Sequence, residues 1–121
     1  MKDYKLAEKE ALFADIVWDH EPISSPELVK LCEEKLNWKK STTYTVLKKL
    51  CSRGIFQNHN AIVTSLVSRE EFASGKTRDF VEKSFGGSLP GFITAFMGNK
   101  KLSEKQAEEI KKLIDSYREV E

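Results

Sequence analysis

The sequence predicts a mainly α protein with one small β-hairpin, in which three helices precede the hairpin and further helices form a C-terminal segment. Apolar residues recur at helical spacing between residues 6 and 52 and again between 70 and 117. Two short β-branched runs, 55–58 and 62–67, separate these stretches. Pro, Gly and Ser stand where helices start or stop. At 121 residues the chain holds one domain, or a small domain with an appendage, and a large multidomain enzyme is excluded.

Each element has its own justification. Leu6, Phe13, Ile16 and Val17, with Ala7, Ala11 and Ala14, predict a first helix from Leu6 to Trp18. It ends before Pro22, because a proline disfavours helix in the residue ahead of it. Ser25-Pro26-Glu27 then opens a second helix: Ser25 as N-cap, Pro26 at the first helical position, Glu27 at the positive end of the dipole. Leu28, Val29, Leu31, Cys32 and Leu36 form its apolar side. After Asn37-Trp38-Lys39-Lys40 a third helix runs from Lys40 or Ser41 to about Ser52. Thr43, Val46, Leu47 and Leu50 make its buried stripe, Thr42, Thr45 and Lys49 share the opposite side, and Ser41 and Lys48 flank them. Gly54 stops it. The β-branched runs read as a hairpin turning at His59-Asn60-Ala61, and three helices followed by a hairpin is the order of a winged helix-turn-helix, whose third helix enters the major groove. Trp18 and Trp38 are expected to close its core.

Glu70 to Phe85 predicts a fourth helix, broken by Gly86-Gly87-Ser88. A fifth carries Leu89, Phe92, Ile93, Phe96 and Met97 and ends at Gly98-Asn99; Ser103 caps a sixth with the stripe Ala107, Ile110, Leu113, Ile114 and Tyr117. Short helices so rich in large apolar residues call for a partner, and a two-fold interface supplies one; the alternative is that they fold back onto the winged helix as part of a monomer core. The expected dimerisation residues are Phe80, Phe85, Leu89, Phe92, Ile93, Phe96, Ile110, Leu113, Ile114 and Tyr117. The division expected is a winged-helix DNA-binding domain over 1–69 and a helical dimerisation domain over 70–121.

Net charge is only +1, but its distribution is uneven. Residues 1–35 hold five basic and nine acidic side chains, 36–68 five basic and no acidic, and 69–121 ten of each. An acid-free basic stretch around the third helix is the footprint of a phosphate-facing surface. The expected DNA-binding residues are Lys39, Lys40, Ser41, Thr42, Tyr44, Thr45, Lys48, Lys49 and Arg53, with His59 from the hairpin. The alternative is a winged helix that docks on protein in a larger assembly; such a surface shows apolar or aromatic anchors, and Tyr44 is the one candidate here.

Cys32 and Cys51 fill apolar helical positions and read as buried thiols, and neither His20 nor His59 has a second ligand at metal spacing. No phosphate-cradling glycine loop, nucleophile elbow or paired-cysteine motif is present, so no cofactor, metal or enzyme activity is expected. The N-terminus has no signal-like apolar run and no stretch approaches the roughly 20 apolar residues of a membrane span, which predicts a cytoplasmic protein without membrane insertion.

In order and spacing, Glu10 and Trp18, His20 to Glu27, Trp38, Thr42, Thr45, Leu47, Leu50, Gly54, His59 and the segment from Phe80 to Leu89 resemble the BlaI/MecI/CopY family of penicillinase-type and copper-responsive repressors over nearly the whole chain. The resemblance implies a homodimeric repressor on a palindromic operator, with Thr42, Thr45 and Lys49 facing double-stranded DNA. It also implies release by cleavage in the dimerisation segment, at Ala95-Phe96, with a membrane-bound sensor metalloprotease as partner. The chain departs from the family in Ser41, where a lysine is common, in a neutral wing, in Ala95, where the cleaved bond has an asparagine, and in lacking the C-terminal cysteines of the copper-responsive branch.

Overall fold

The computed structural model describes residues 4–119. Its elements are α1 (Glu8–His20), β1 (Ile23–Ser24), α2 (Ser25–Leu36), α3 (Lys40–Ser52), β2 (Phe56–His59), β3 (Ile62–Ser65), α4 (Arg69–Phe85), α5 (Leu89–Met97) and α6 (Glu104–Ser116). The chain divides into two compact units, Met1–Phe80 and Val81–Glu121, and α4 contributes residues to both. The first unit is a winged helix and the second is helical, as the order of elements predicted.

The winged helix closes around one apolar cluster. Phe13, Ala14 and Val17 of α1, Leu28 and Cys32 of α2, Leu50 of α3, and Phe56 and Val63 of the hairpin are all fully buried. Through this cluster runs a chain of rings. Trp38 stacks on Phe13 at 5.9 Å between centroids, and Phe13 meets Phe56 edge-on at 6.3 Å. Trp18 then lies 5.7 Å from Phe56 and 5.7 Å from Phe72, and Phe72 lies 5.7 Å from Tyr4. Such pairs contribute about 0.5–1.5 kcal/mol each beyond the area they bury. The Trp18 indole N–H donates to the Val67 carbonyl at 3.0 Å, and the Arg69 guanidinium lies 5.6 Å from the Trp18 ring centroid. Both tryptophans pack against the core, as expected. Cys32 is buried and Cys51 half-buried, both thiols are free, and burial pushes both up from the ordinary thiol value.

Several boundaries differ from those expected. α1 starts at Glu8, because Ala7 is extended (φ −64°, ψ 159°), and it continues to His20. The N-cap of α2 is Ser24, whose hydroxyl accepts from the Glu27 N–H at 3.3 Å; Ser25 is already helical. The reason lies in β1, which pairs antiparallel with β3 (Ile23↔Val63, Ser24↔Ile62) and keeps the backbone extended through Ser24. The sheet order is β1-β3-β2, with Phe56↔Ser65 and His59↔Ile62 at the two ends of the hairpin. Ile55 stays outside the ladder because its N–H bonds back to Leu50, while its carbonyl accepts from both Leu66 and Val67. The tight turn is Asn60-Ala61, both with positive φ (52° and 62°). That is the turn whose twist suits a two-residue hairpin, and in it Ala61 costs about 1–2 kcal/mol relative to a right-handed conformation. The Ala61 carbonyl accepts from the Ser25 N–H at 2.8 Å, tying the turn to the start of α2.

In the second unit Ser88 caps α5 by accepting from the Gly91 N–H at 3.0 Å, and Ser103 caps α6 by accepting from the Gln106 N–H at 3.2 Å. The Phe92 ring lies 5.8 Å from Phe85 and 6.1 Å from Phe96. None of the described residues of this unit is buried.

Truncation of a fully buried member of the ring chain should be costly. Phe13→Ala is expected to lower stability by about 3–5 kcal/mol in urea unfolding, whereas Leu12→Ala, at a neighbouring exposed position, should change it by no more than about 0.5 kcal/mol. Equal effects at the two positions would contradict this core.

Candidate nucleic-acid interface

Burial of one side of α3 determines what its other side presents. Thr43, Leu47 and Leu50 are buried and Val46 half-buried, which leaves Lys40, Ser41, Thr42, Tyr44, Thr45, Lys48 and Lys49 exposed, with Lys39 exposed at the N-cap. The Thr45 hydroxyl donates to the Ser41 carbonyl at 2.9 Å, so toward a base edge Thr45 offers a methyl group and an acceptor. The Tyr44 hydroxyl donates to Ser25 Oγ at 3.3 Å, which engages its polar end within the helix-turn-helix rather than leaving it as a free anchor.

The N-terminus of α3 differs from those of α1, α2, α4 and α6, each of which has an acidic residue in its first turn. α3 has none, and its N-cap, Lys39, makes no side-chain cap hydrogen bond. The first backbone N–H groups of a helix have no intrahelical acceptor and carry the positive end of the dipole. With Lys39 and Lys40 beside them they suit a phosphate, one of the groups by which proteins fix their register on a duplex.

The C-terminal half of α3 is arranged differently. Glu10 of α1, only 7% exposed, receives Lys49 Nζ at 2.7 Å on Oε2. Its Oε1 accepts from the Ala7 N–H at 2.8 Å and lies 3.6 Å from the Arg53 guanidinium. Arg53 also donates to the Lys5 carbonyl. The hydrogen bond from Lys49, then that from Ala7, hold the Glu10 carboxyl below the usual carboxylate value. Thus Lys49 and Arg53, both expected on the DNA face, are engaged by a carboxylate from another element, although the Lys49 side chain remains 61% exposed. The sequence contained a signal for this. Glu10 sits three, four and seven residues before Phe13, Ala14 and Val17, a carboxylate on the buried face of a helix, and such a group requires a cationic partner.

His59, Asn60 and Ala61 are exposed, and the hairpin from 56 to 65 contains no charged residue. Gln57 Nε2 donates to Thr64 Oγ1 across the two strands at 3.1 Å. Of the expected dimerisation residues, Phe80, Leu89, Ile93, Phe96, Ile110, Leu113, Ile114 and Tyr117 are exposed, and Phe85 and Phe92 half-buried. Ala95 and Phe96 both lie within α5 and are exposed. Among the described residues no helix is long and apolar enough to cross a membrane.

A helix-turn-helix of α2 and α3, an exposed polar and basic face on α3 and a hairpin wing define a protein of the winged-helix class. Residues 6–116 match the family model described as penicillinase repressor, and the chain belongs to that family, one of transcriptional repressors rather than enzymes. It is 20% identical over 118 residues to the penicillinase repressor of Bacillus licheniformis, covering 94% of this chain and 92% of that one. It is 21% identical to the methicillin resistance regulatory protein MecI of Staphylococcus aureus (94% and 96% covered), and 19% identical to the penicillinase repressor of Staphylococcus aureus (84% and 83%).

The lowered Glu10 carboxyl has a defined pH signature. A carboxylate whose folded value lies below its unfolded one stabilises the fold above the unfolded value, and that contribution disappears as pH falls through the folded value. Glu10→Gln should therefore be less stable than the wild type at neutral pH, and the gap should close as pH falls below 4.5. Urea midpoints over a pH series measure this; a pH-independent gap would remove the ion cluster as its cause.

Proposed function

We propose that this repressor binds a palindromic operator as a homodimer. The α3 of each copy lies in the major groove, with Lys39, Lys40 and Lys48 on phosphates and Ser41, Thr42, Tyr44 and Thr45 toward base edges. His59 lies at the adjoining backbone. The joint between the copies is the second unit. The observation that carries this reading is that none of the described residues from Val81 onward is buried, while Leu89, Phe96, Leu113 and Ile114 are each more than half exposed. Leu89, Ile110, Leu113, Ile114 and Tyr117, with Arg118, line an open groove of about 410 Å³. So much contiguous apolar surface is characteristic of an interface, and a second copy brings a matching one.

Joining two reading heads matters because each alone discriminates modestly. A short linkage raises the effective concentration of the second contact to roughly millimolar and lifts overall affinity by about two to four decades without any new base contact. Cutting the joint is then an effective switch. Ala95-Phe96 lies in a nine-residue helix between Gly87 and Gly98 with no buried residue. A helix this short is marginal by itself, so the bond opens readily to a protease that binds extended chain. A membrane-bound sensor metalloprotease is the partner this reading assigns to it.

Selection from a random duplex pool should recover an inverted repeat. Ile93→Asp with Phe96→Asp should give a monomer with an intact winged helix that has lost about two to four decades of affinity for the repeat, because an unpaired carboxylate at an apolar interface is strongly unfavourable. Sedimentation velocity and anisotropy titration measure the two effects; a variant that stays dimeric, or a wild type that selects single half-sites, would refute the arrangement. Thr42→Ala and Thr45→Ala should each cost about 1–3 kcal/mol on the selected repeat and leave binding to scrambled duplex nearly unchanged. Equal losses on both duplexes would remove that face from base reading.

A further inference from the structure

We propose that Glu10 is a specificity-determining residue: by holding Lys49 and Arg53 it keeps two cations of the recognition helix off the phosphate backbone, suppressing affinity for DNA of any sequence. The inference rests on the DNA-binding reading above and goes beyond it, since it concerns what the protein avoids binding.

Sequence-independent affinity grows with the number of cations that neutralise phosphates, and discrimination is the ratio of specific to non-specific binding. The acid-free stretch from 36 to 68 supplies five cations. Three of them, Lys39, Lys40 and Lys48, are exposed on or beside α3. The other two converge on one carboxylate contributed from 39 and 43 residues earlier in the chain: Lys49 at 2.7 Å and Arg53 at 3.6 Å.

The carboxylate occupies a position from which it cannot easily turn away. Glu10 shares the face of α1 that carries Phe13, Ala14 and Val17, is 7% exposed, and has its Oε1 fixed by the Ala7 N–H. Arg53 is anchored a second time on the Lys5 carbonyl. Lys49 is the mobile member, since its side chain is 61% exposed on a flexible stem. Removing the negative charge at Glu10 would free Lys49 first, and a released lysine on the recognition helix has phosphate within its reach whatever the sequence. The arrangement also separates two tasks along α3: Lys40 to Thr45 and Lys48 meet DNA, while Lys49 and the C-cap Arg53 fasten the helix to α1, which fixes the angle at which the reading residues are presented.

The test uses the full chain as wild type, Glu10→Gln, Lys49→Met and the double variant. Each is titrated against the selected duplex and a scrambled duplex of the same length between about 50 and 200 mM salt, the range over which counterion release is steep. Glu10→Gln retains an acceptor for Ala7 while losing the charge. It should bind the scrambled duplex more tightly, with a log K against log salt slope steeper by about 0.9 for each cation newly placed on phosphate. Its ratio of selected to scrambled affinity should fall. Lys49→Met alone should leave the wild-type slope unchanged, and in the Glu10→Gln background it should remove the added steepness. A shallower slope for Lys49→Met alone would overturn the proposal, because Lys49 would then already contact phosphate with Glu10 present. So would an unchanged slope for a folded Glu10→Gln. Should Glu10→Gln fail to give a native circular dichroism spectrum, the Lys49→Met slope decides. Failure of the wild type to bind either duplex would instead overturn the DNA reading itself, and this inference with it.

Discussion

Phe13 and Phe56 are inner members of a chain of ring contacts on which the geometry of the winged helix depends. From Trp38 in the connector before α3, the chain passes through Phe13 of α1, Phe56 of β2 and Trp18 of α1 to Phe72 of α4 and Tyr4 near the N-terminus. Interiors are packed as densely as organic crystals, so rings in contact cannot slide past one another without opening a void. Trp38 precedes Lys40 by two residues, and its stacking on Phe13 therefore fixes where α3 begins. At the other end Gly75 allows Tyr4 to approach α4: a Cβ at that position would lie 2.5 Å from the Tyr4 ring. The exposure of Thr42, Thr45 and Lys48 is the consequence. Once Thr43, Leu47 and Leu50 are committed to the core, the 3.6-residue period leaves these side chains outside.

The second unit is built from similar residue types under the opposite condition. Phe92 touches both Phe85 and Phe96, yet α5 and α6 are short and glycines interrupt the chain at 86, 87 and 98, and among the described residues the stripe of Leu113, Ile114 and Tyr117 is left exposed. A repressor gains from this contrast. On the function proposed above, loss of the joint between copies lowers affinity greatly although no DNA contact has changed.

The features legible in the sequence were those carried by periodicity and by local capping. The six helices, the hairpin and the buried sides of Phe13, Leu28, Leu47 and Leu50 follow from spacing alone, and the Ser103 cap was readable because it precedes its helix without a competitor. At Ser24-Ser25 two equivalent caps stand side by side, and the choice falls to β1, a two-residue strand that exists only because β3 is there to pair with it. The Asn60-Ala61 turn lacks the glycine that usually marks positive φ and is held instead by strand pairing and by the Ser25 N–H. In the candidate site, the polar and basic character of α3 was evident from Lys39 to Lys48. Its electrostatics were not, because a count of charges along the chain treats residues 36–68 as free of acid, whereas folding carries Glu10 into the middle of that stretch.

Amide hydrogen exchange on the full chain, followed from a concentration at which it is dimeric to one at which light scattering finds it monomeric, tests the division of labour most directly. Protection in α1, α2, α3 and the hairpin should be the same at every concentration, while protection in α5 and α6 should fall as the dimer dissociates. Undiminished protection of α5 and α6 in the monomer would contradict it, because the second unit would then be stable without a second copy.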